Sequence, residues 1–336
     1  MSKVYEALKR IQEERALAKN HSGHATLASE APFTVAIPAP DSPSEPTGAP
    51  VSSAPASARV VSEHLAYVPT ASQELKSGHL LRFEDLLKTC AKPTWTLDPN
   101  RVVFSEPNRS GPATEQFRTL RTRLYGLRET STLKKVLVTS AVPGEGKTFV
   151  ATNLAQGIAR EPNRRVLLID ADLRNPKLHL PLGAPLTPGM AEYLSERATE
   201  ADIIQHGQEG MLCFIAAGTA EGNCSELLSN GGFKKLLDRL APLFDWVIID
   251  SPPCLAVADA NMLAGLCDGV LLVVKARSTA AAEAERARKE LQKRKVVGVV
   301  LNAVEEALIE EHYYYQGYST PSGSSTKLAT NQRERT

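Results

Sequence analysis

The sequence predicts an α/β fold in which a doubly wound, mostly parallel sheet is covered by helices on both faces. Short runs rich in Val, Ile and Leu alternate with helical stretches from about residue 101 to about residue 304. Apolar runs of this kind are typical of strands buried on both faces, and the helices between them supply the crossovers that parallel strands need. In chain order, the predicted strands are KKVLVTS, RRVLLID, DWVIID, GVLLVVKA and VVGVVL.

Four segments follow one another along the chain. Residues 1–20 carry apolar side chains near helical spacing, which predicts an amphipathic N-terminal helix or, equally, a frayed tail. Residues 21–96 are mostly rich in Pro, Ala and Ser. They predict a mostly disordered linker, because little apolar surface is available there to offset the entropy of ordering. The α/β domain is expected over residues 97–305, and the polar residues 306–336 are expected to form a flexible, tyrosine-bearing tail.

Charge and apolar patterning argue against nucleic-acid and membrane-spanning roles. The 336 residues include 39 Lys and Arg against 38 Asp and Glu, a net charge of +1. There is no overall positive field to attract nucleic acid, so no such partner is predicted. No apolar run approaches the roughly 20 residues of a membrane helix, and no secretory signal is recognised. Five cysteines form no CxxC pair, as expected in a reducing cytosol, and a cytoplasmic location is predicted.

A glycine-rich turn between the first main strand and the next helix predicts a nucleotide site. The stretch SAVPGEGKT has Gly146, Lys147 and Thr148 where a P-loop needs them, although Ala141 replaces the first glycine of the general pattern. Backbone N–H groups of such a turn surround phosphate oxygens at the positive end of the helix. Lys147 is expected to reach the phosphates and Thr148 to bind Mg²⁺. The predicted nucleotide-binding residues of this turn are Pro143, Gly144, Glu145, Gly146, Lys147, Thr148 and Phe149.

Carboxylates end two further predicted strands. Asp170 and Asp172 follow VLLI, and Asp250 ends DWVIID. Because the carboxyl ends of parallel strands line one crevice, these groups are expected to meet the P-loop, although Asp172 alone would also suit a helix cap. Carboxylates close to a cation and to each other should have perturbed pKa values, which suits one of them to accept a proton. Asn302, which closes the last strand, is either a base-recognition amide or a simple strand end.

With these motifs in place, the chain resembles the bacterial tyrosine kinases (BY-kinases) of capsule and exopolysaccharide synthesis, from about Leu97 to Tyr318. SAVPGEGKT is similar to their Walker A motif, LLIDADLR to Walker A′ and VIIDSPP to Walker B. EQFRTLRTRL is similar to their E-x-x-R-x-x-R helix through Glu115, Arg118 and Arg121, and HYYYQGY to their C-terminal tyrosine cluster.

The resemblance implies a P-loop NTPase fold, similar to that of the MinD/ParA partitioning ATPases, and an ATP- and Mg²⁺-dependent protein-tyrosine autokinase. It implies that Lys147 and Thr148 bind ATP·Mg²⁺. It implies that Asp172 and Asp250 hold or orient the metal and that Asp170 draws the proton from the incoming tyrosine hydroxyl. Phosphoryl transfer is mostly positioning and charge neutralisation, so few groups suffice. For Arg174, help with phosphate or metal geometry and a structural ion pair are equal alternatives.

Four tyrosines within six positions of the tail need an explanation. Either they form a hydrophobic contact patch, or they are mobile phosphoacceptors, as the resemblance implies. The length of the tail does not decide between phosphorylation of the same chain and of a neighbour. The resemblance favours a neighbour, within a ring whose contact is the helix of Glu115, Arg118 and Arg121, whereas the residues alone would favour pairing within that helix. The predicted acceptors are Tyr313, Tyr314, Tyr315 and Tyr318.

The resemblance also implies regulation of polysaccharide synthesis and export together with a separate activator in the inner membrane, of the polysaccharide co-polymerase (Wzz-like) kind. The protein would then be peripheral to that membrane through its partner. The alternative from another class is a MinD/ParA-like nucleotide-dependent switch with little kinase activity. The tyrosine tail argues against the switch, and so does Val142, where those ATPases carry a signature lysine.

Overall fold

A computed structural model describes residues 33–38, 82–105, 111–207 and 210–305. Eight strands of this part of the chain form one sheet, in the spatial order β1-β8-β7-β2-β6-β3-β5-β4. All neighbours are parallel except β4, which runs antiparallel to β5 at one edge. The strands are β1 (Phe33–Pro38), β2 (Lys135–Ser140), β3 (Val166–Asp170), β4 (Ile204–His206), β5 (Leu212–Ile215), β6 (Trp246–Asp250), β7 (Gly269–Lys275) and β8 (Val296–Val304).

Helices connect the parallel strands and cover both faces of the sheet. The predicted doubly wound α/β fold is thereby confirmed. None of the helices in the described ranges is long and apolar enough to cross a bilayer. The helices are α1 (Phe83–Thr89), α2 (Pro112–Thr130), α3 (Lys147–Ala159), α4 (His179–Leu182), α5 (Met190–Leu194), α6 (Glu200–Ile203), α7 (Cys224–Ser229), α8 (Gly232–Leu240), α9 (Asp259–Ala264) and α10 (Ala281–Glu290).

Side-chain alternation along the central strands builds two hydrophobic cores. Val136 and Val138 of β2 point into one core, which they share with Phe117 of α2 and Leu154 of α3. Leu137, between them, points into the other core, which the helices of the opposite face fill. Successive side chains of a strand face opposite sides of the sheet, and both sides are covered, so every residue of such a strand has to be apolar. This is the physical origin of the uninterrupted apolar runs in the sequence.

Two elements lie within the segment predicted to be a mostly disordered linker, and here the structure differs from the sequence prediction. Residues 33–38 form the edge strand β1, and α1 occupies residues 83–89. Phe83 of α1 packs edge-on against Phe244, with their ring centroids 5.4 Å apart. Both segments gain their order from distant parts of the chain, and composition does not reveal such contacts. The predicted helix at residues 1–20, the rest of the linker and the tail after residue 305 lie outside the described residues.

The central strands end at the same edge of the sheet. The residues that follow β2 form the glycine-rich turn, Asp170 ends β3 and Asp250 ends β6. Asp170 and Asp250 are direct neighbours in the pairing of β3 with β6. The sheet thus brings together three parts of the chain that are separated by tens of residues.

Candidate active site

The glycine-rich turn curls in front of α3 with the backbone that a P-loop requires. Gly144 and Gly146 have φ values of 84° and 91°, in the left-handed region that side chains disfavour. Gly146 precedes the first residue of α3, and no side chain caps the N–H groups of this helix end. A Cβ at Gly146 would also lie 1.9 Å from Nδ2 of Asn302. The turn therefore presents unpaired backbone donors and a positive dipole end, the arrangement that binds phosphate.

Two short polar contacts bring the ends of β3 and β6 to this turn. Nζ of Lys147 lies 3.0 Å from Oδ2 of Asp172, and both side chains are largely buried. The Thr148 hydroxyl donates a hydrogen bond of 2.6 Å to Oδ2 of Asp250. The other oxygen of Asp250 is buried and has no hydrogen-bond partner. Because a buried carboxylate oxygen without a partner is costly, this atom indicates a place for a cation or water.

Mg²⁺ fits this donor set. It prefers oxygen ligands and commonly uses one or two carboxylates together with substrate phosphates. The hydroxyl of Thr148 and the free oxygen of Asp250 are such ligands. Asp172 lies nearby, because it forms an ion pair with Lys147, the residue before Thr148. The described ranges hold no cluster of three His, Cys, Asp or Glu side chains that would bind a metal by themselves. Oxygens of a bound nucleotide would be the further ligands that Mg²⁺ commonly uses.

Asp170 is the most deeply buried of the three aspartates. Its oxygens accept hydrogen bonds from the backbone N–H groups of Asp172, at 3.1 Å, and Leu178, at 3.0 Å. Burial and then the nearby Asp250 raise the pKa of Asp170 despite these bonds. Burial also raises the pKa of Asp250, against the lowering effects of Lys147 and the Thr148 hydroxyl. Two carboxylates on adjacent strands thus disfavour each other's charge, which suits one of them to hold a proton.

The carboxylate of Glu145, one of the predicted nucleotide-binding residues of the turn, has its hydrogen-bond partners within the protein. Its carboxylate is buried and accepts a hydrogen bond of 2.7 Å from the N–H of Val142. It also accepts a hydrogen bond from the Thr279 hydroxyl and a longer one, of 3.4 Å, from the N–H of Lys275. The carboxylate therefore fastens the turn to the loop after β7. No short motif marks Thr279, so the sequence offered no signal for this contact.

Asn302 lies at the back of the turn. Its Nδ2 donates a hydrogen bond of 2.9 Å to the backbone oxygen of Glu145, and its Oδ1 is buried without a partner. The amide thus contacts the P-loop backbone and keeps one oxygen available. Phe149, predicted beside the nucleotide, has its ring centroid 5.8 Å from that of Phe117. It contributes to the packing of α3 against α2, and Pro143 is exposed at the tip of the turn.

Arg174 forms an ion pair away from the turn. Its Nε lies 2.8 Å from Oδ2 of Asp259, and its Nη2 donates a hydrogen bond of 2.7 Å to the Ser225 hydroxyl. Ser225 donates in turn to the same carboxylate. The side chain of Asp259 is only 2% exposed, so the charge of Arg174 compensates a buried carboxylate. Of the two alternatives for Arg174, this geometry favours the structural ion pair, and no short motif marks Asp259.

The helix with the E-x-x-R-x-x-R pattern, α2, separates its charged residues into two groups. Glu115 and Arg118 are exposed and form an ion pair one turn apart. Arg121 points inward, where its Nε lies 3.1 Å from Oε1 of Glu161 and its Nη1 donates to the backbone oxygen of Gly157 at 2.7 Å. Arg121 thus ties α2 to the end of α3. The four tail tyrosines predicted as acceptors lie outside the described residues.

Comparison with known proteins identifies the family. The model of a family described as "AAA domain" matches residues 133–295. Tyrosine-protein kinase YwqD of Bacillus subtilis is 35% identical over 218 residues, which are 64% of this chain and 91% of that protein. The chain belongs to the bacterial tyrosine-protein kinases. Tyrosine-protein kinase CpsD of Streptococcus agalactiae serotype III is 33% identical, over 62% of this chain and 89% of its own length.

A solved structure supports the same assignment. The kinase domain of Escherichia coli tyrosine kinase ETK superposes with a TM-score of 0.57 at 28% sequence identity. The superposition covers 73% of this chain and 94% of that domain. The predicted family, the P-loop fold and the protein-tyrosine kinase activity are thereby confirmed.

Proposed function

We propose that this kinase is an ATP- and Mg²⁺-dependent autokinase that phosphorylates its own C-terminal tyrosine cluster. The observation that supports the proposal most is the meeting of three strand ends at one turn. There Lys147 pairs with Asp172, Thr148 pairs with Asp250, and one buried oxygen of Asp250 remains free. A turn that binds only phosphate has no need of carboxylates, whereas a site that binds a nucleotide with Mg²⁺ commonly uses one or two.

Each residue of the site has a distinct task in this proposal. Lys147 neutralises phosphate charge, and Asp172 holds its ammonium group in place. Thr148 and Asp250 hold the magnesium ion, which supplies charge neutralisation at the phosphates when it is bound. Asp170, in its ionised form, accepts the proton of the tyrosine hydroxyl, since a pKa raised by burial makes that carboxylate a stronger base. The Asn302 oxygen that remains without a partner is a candidate acceptor for the amino group of the base.

The tail has the chemistry and the length of an acceptor segment. Four of the eight tyrosines of the protein stand within six positions, at 313, 314, 315 and 318. From Asn302 to Tyr313 the chain can extend roughly 36–40 Å, at about 3.3–3.6 Å per residue. This length reaches either its own site or that of a neighbour. The proposal is transfer to a neighbour within a ring in which the exposed pair of Glu115 and Arg118 makes the contact, with Arg121 holding α2 in place from behind.

Phosphotyrosine formation tests the activity. Purified protein is incubated with ATP and Mg²⁺, blotted for phosphotyrosine and mapped by mass spectrometry. Phosphate is expected on the tail tyrosines. Lys147→Met should abolish the signal, whereas Lys235→Met, which removes an exposed lysine of α8, should leave it unchanged. A chain with all four tail tyrosines changed to phenylalanine should lose most of the signal. Retention of the signal in Lys147→Met, or phosphate that stays entirely outside the tail, would contradict the proposal.

Mixing experiments test the transfer between chains. The Lys147→Met chain retains its tyrosines, so it should become phosphorylated when the four-phenylalanine chain is added as the kinase. Phosphates on several tail residues repel each other and neighbouring acidic groups, so phosphorylation should loosen the ring. Analytical ultracentrifugation compares the phosphorylated and dephosphorylated forms. Identical sedimentation of the two forms would contradict a role in assembly.

The biological role that we propose is the regulation of capsular or exopolysaccharide synthesis through a separate inner-membrane activator. The activator would supply a cytoplasmic segment that binds near the nucleotide site and would hold the kinase at the membrane. Residues 1–20 are a candidate for binding to that partner. Deletion of residues 1–20 should therefore release the kinase from the membrane fraction of cells. Unchanged membrane association would contradict this part of the proposal.

A further inference from the structure

The edge strand β1, which precedes the P-loop by about a hundred residues, lies beside β8, the strand that contains Asn302. In this strand, β1, Val35 and Ile37 are buried in the same hydrophobic core as α2. Phe33 pairs with Gly298 of β8, and a Cβ at Gly298 would lie 2.6 Å from the Phe33 ring. The edge of β8 thus has an apolar groove shaped for the side chains of β1. Strand addition of this kind combines backbone pairing with pockets for alternate side chains.

The pairing of β1 with β8 contains a bulge at the nucleotide site. The register is regular up to Leu301 and resumes at Val304, so Ile37 alone lies opposite two residues, Asn302 and Ala303. Ala303 has a φ of 56°, a conformation that non-glycine residues adopt only where the surroundings hold them in it. Bulges bend a strand and redirect a side chain. The bulge lies in β8, and β1 is the strand opposite it.

Asn302, which lies in the bulge, contacts the P-loop through its side chain. Nδ2 of Asn302 donates to the backbone oxygen of Glu145 at 2.9 Å, and the amide fills the space that a Cβ at Gly146 would need. On the other side of β8, the backbone oxygen of Asn302 accepts from the N–H of Ala276 at 2.8 Å. The position of this amide is therefore set by β7 on one side and by β1 on the other. Asn302 thus connects β1 to the turn.

The covalent link between β1 and the rest of the domain does not force the strand into this groove. After β1, the next described residue is Arg82, and 43 residues lie between them. Ala91, shortly after α1, bridges to Gln205 of β4, at the opposite edge of the sheet. Seven strand spacings of about 4.8 Å separate these edges by roughly 34 Å, whereas 43 residues can extend to about 140 Å. The strand can therefore leave its groove while the domain stays connected.

We propose that residues 33–38 are a detachable strand. The binding of this strand to the edge of β8 fixes the bulge at Asn302 and holds the P-loop in its nucleotide-binding shape. Nucleotide affinity therefore depends on the segment before the kinase domain. The occupant of the groove is this segment of the same chain. The inference rests on the proposed nucleotide site.

Nucleotide titrations of the full chain test the proposal. The double variant Val35→Asp/Ile37→Asp places two charges in the groove and should release the strand. The dissociation constant of a fluorescent ADP analogue with Mg²⁺ should rise about tenfold, the effect of losing one well-formed hydrogen bond. The matched control is Ser42→Asp/Ser44→Asp, which adds the same charges to the same segment outside the strand and should leave the constant unchanged. A peptide of residues 31–40, added in excess, should restore the affinity of the first variant.

The same titration with Asn302→Ala separates positioning from a general loss of stability. If the strand acts through Asn302, its release should change the affinity of the Asn302→Ala chain by less than twofold. An equal tenfold loss in both backgrounds, or no loss in either, would overturn the proposal. A chain that fails to fold once the strand is released, as judged by circular dichroism, would show that the strand is not detachable and would overturn it as well.

Hydrogen exchange gives a measurement that does not depend on the nucleotide. In the nucleotide-free chain, release of the strand should speed exchange of the backbone amides of residues 299–304 and leave those of β3 and β6 protected. Unchanged protection of residues 299–304 would overturn the proposal even where affinity falls. Failure of the unaltered chain to bind the ADP analogue would instead contradict the proposed function, so the two failures are distinguishable.

Discussion

Replacing Asp250 with asparagine should stabilise the nucleotide-free protein above about pH 6. Burial raises the pKa of the Asp250 carboxyl from 3.8 to about 6, and Lys147 and Thr148 only partly offset it. A raised pKa in the folded state means that folding disfavours the charged form. This penalty is absent below the pKa of the unfolded state. It grows as the pH rises towards the pKa of the folded state and is complete above it. A pKa difference of about two corresponds to about 3 kcal/mol.

The expected gain is smaller than this limit, because the asparagine amide group is buried where the free carboxylate oxygen lies and needs a hydrogen-bond partner of its own. We expect about 1–3 kcal/mol at pH 8 and close to none near pH 4. The shape of the side chain is retained, and the asparagine oxygen still accepts the hydrogen bond of Thr148. The same change should abolish autophosphorylation, since it removes the negative charge of a proposed Mg²⁺ ligand. Stability and activity are therefore expected to change in opposite directions at this one position.

Urea unfolding of the two nucleotide-free proteins between pH 4 and pH 8 measures the effect. The free energy of unfolding of the variant minus that of the unaltered protein should increase with pH and level off above about pH 6. Asp238→Asn is the matched control. Asp238 is exposed on α8, where it forms an ion pair with Lys234, so its replacement should shift stability little at any pH. A difference that does not change with pH, or a variant less stable at pH 8, would refute the reasoning.

Three further predictions concern contacts of the turn, of Arg174 and of the edge strand. Glu145→Gln replaces an accepting oxygen of a buried carboxylate with a donor. Nucleotide affinity, measured by titration, should therefore fall about fivefold to thirtyfold. Thr279→Ala should lower the affinity less. An unchanged affinity would contradict the role of this carboxylate in the turn. Arg174→Ala should lower the free energy of unfolding because it leaves the buried Asp259 unpaired. The loss should be only about 1–2 kcal/mol, since solvent screens this half-exposed arginine. Loss of phosphorylation with no loss of stability would instead indicate a direct role of Arg174. Gly298→Ala should destabilise the fold by about 1–3 kcal/mol, because its Cβ meets the Phe33 ring. Adding Phe33→Ala should recover part of that loss, whereas strictly additive losses would contradict the packing.

The fold and the centre of the site can both be predicted from the amino-acid sequence. Strands buried on both faces have to be apolar throughout, so the alternation of apolar runs with helices predicts the parallel sheet. The turn with Gly146 and Lys147 is a local motif whose backbone follows from its glycines. Asp170 and Asp250 end strands, and strand ends of a parallel sheet converge, so their meeting with the turn follows from topology alone.

The roles of residues that depend on a distant partner become visible only in the folded chain. The buried carboxylate of Glu145 faces Thr279, which is 134 residues further along the chain, and Arg174 finds a buried acid in Asp259. The strand at residues 33–38 is the clearest case, because its composition is that of a linker and its order comes from the groove along β8 and α2. Local sequence encodes backbone preference and the periodicity of apolar residues. Which surface a weakly patterned segment covers depends on contacts between residues hundreds of positions apart, and those exist only in the folded chain.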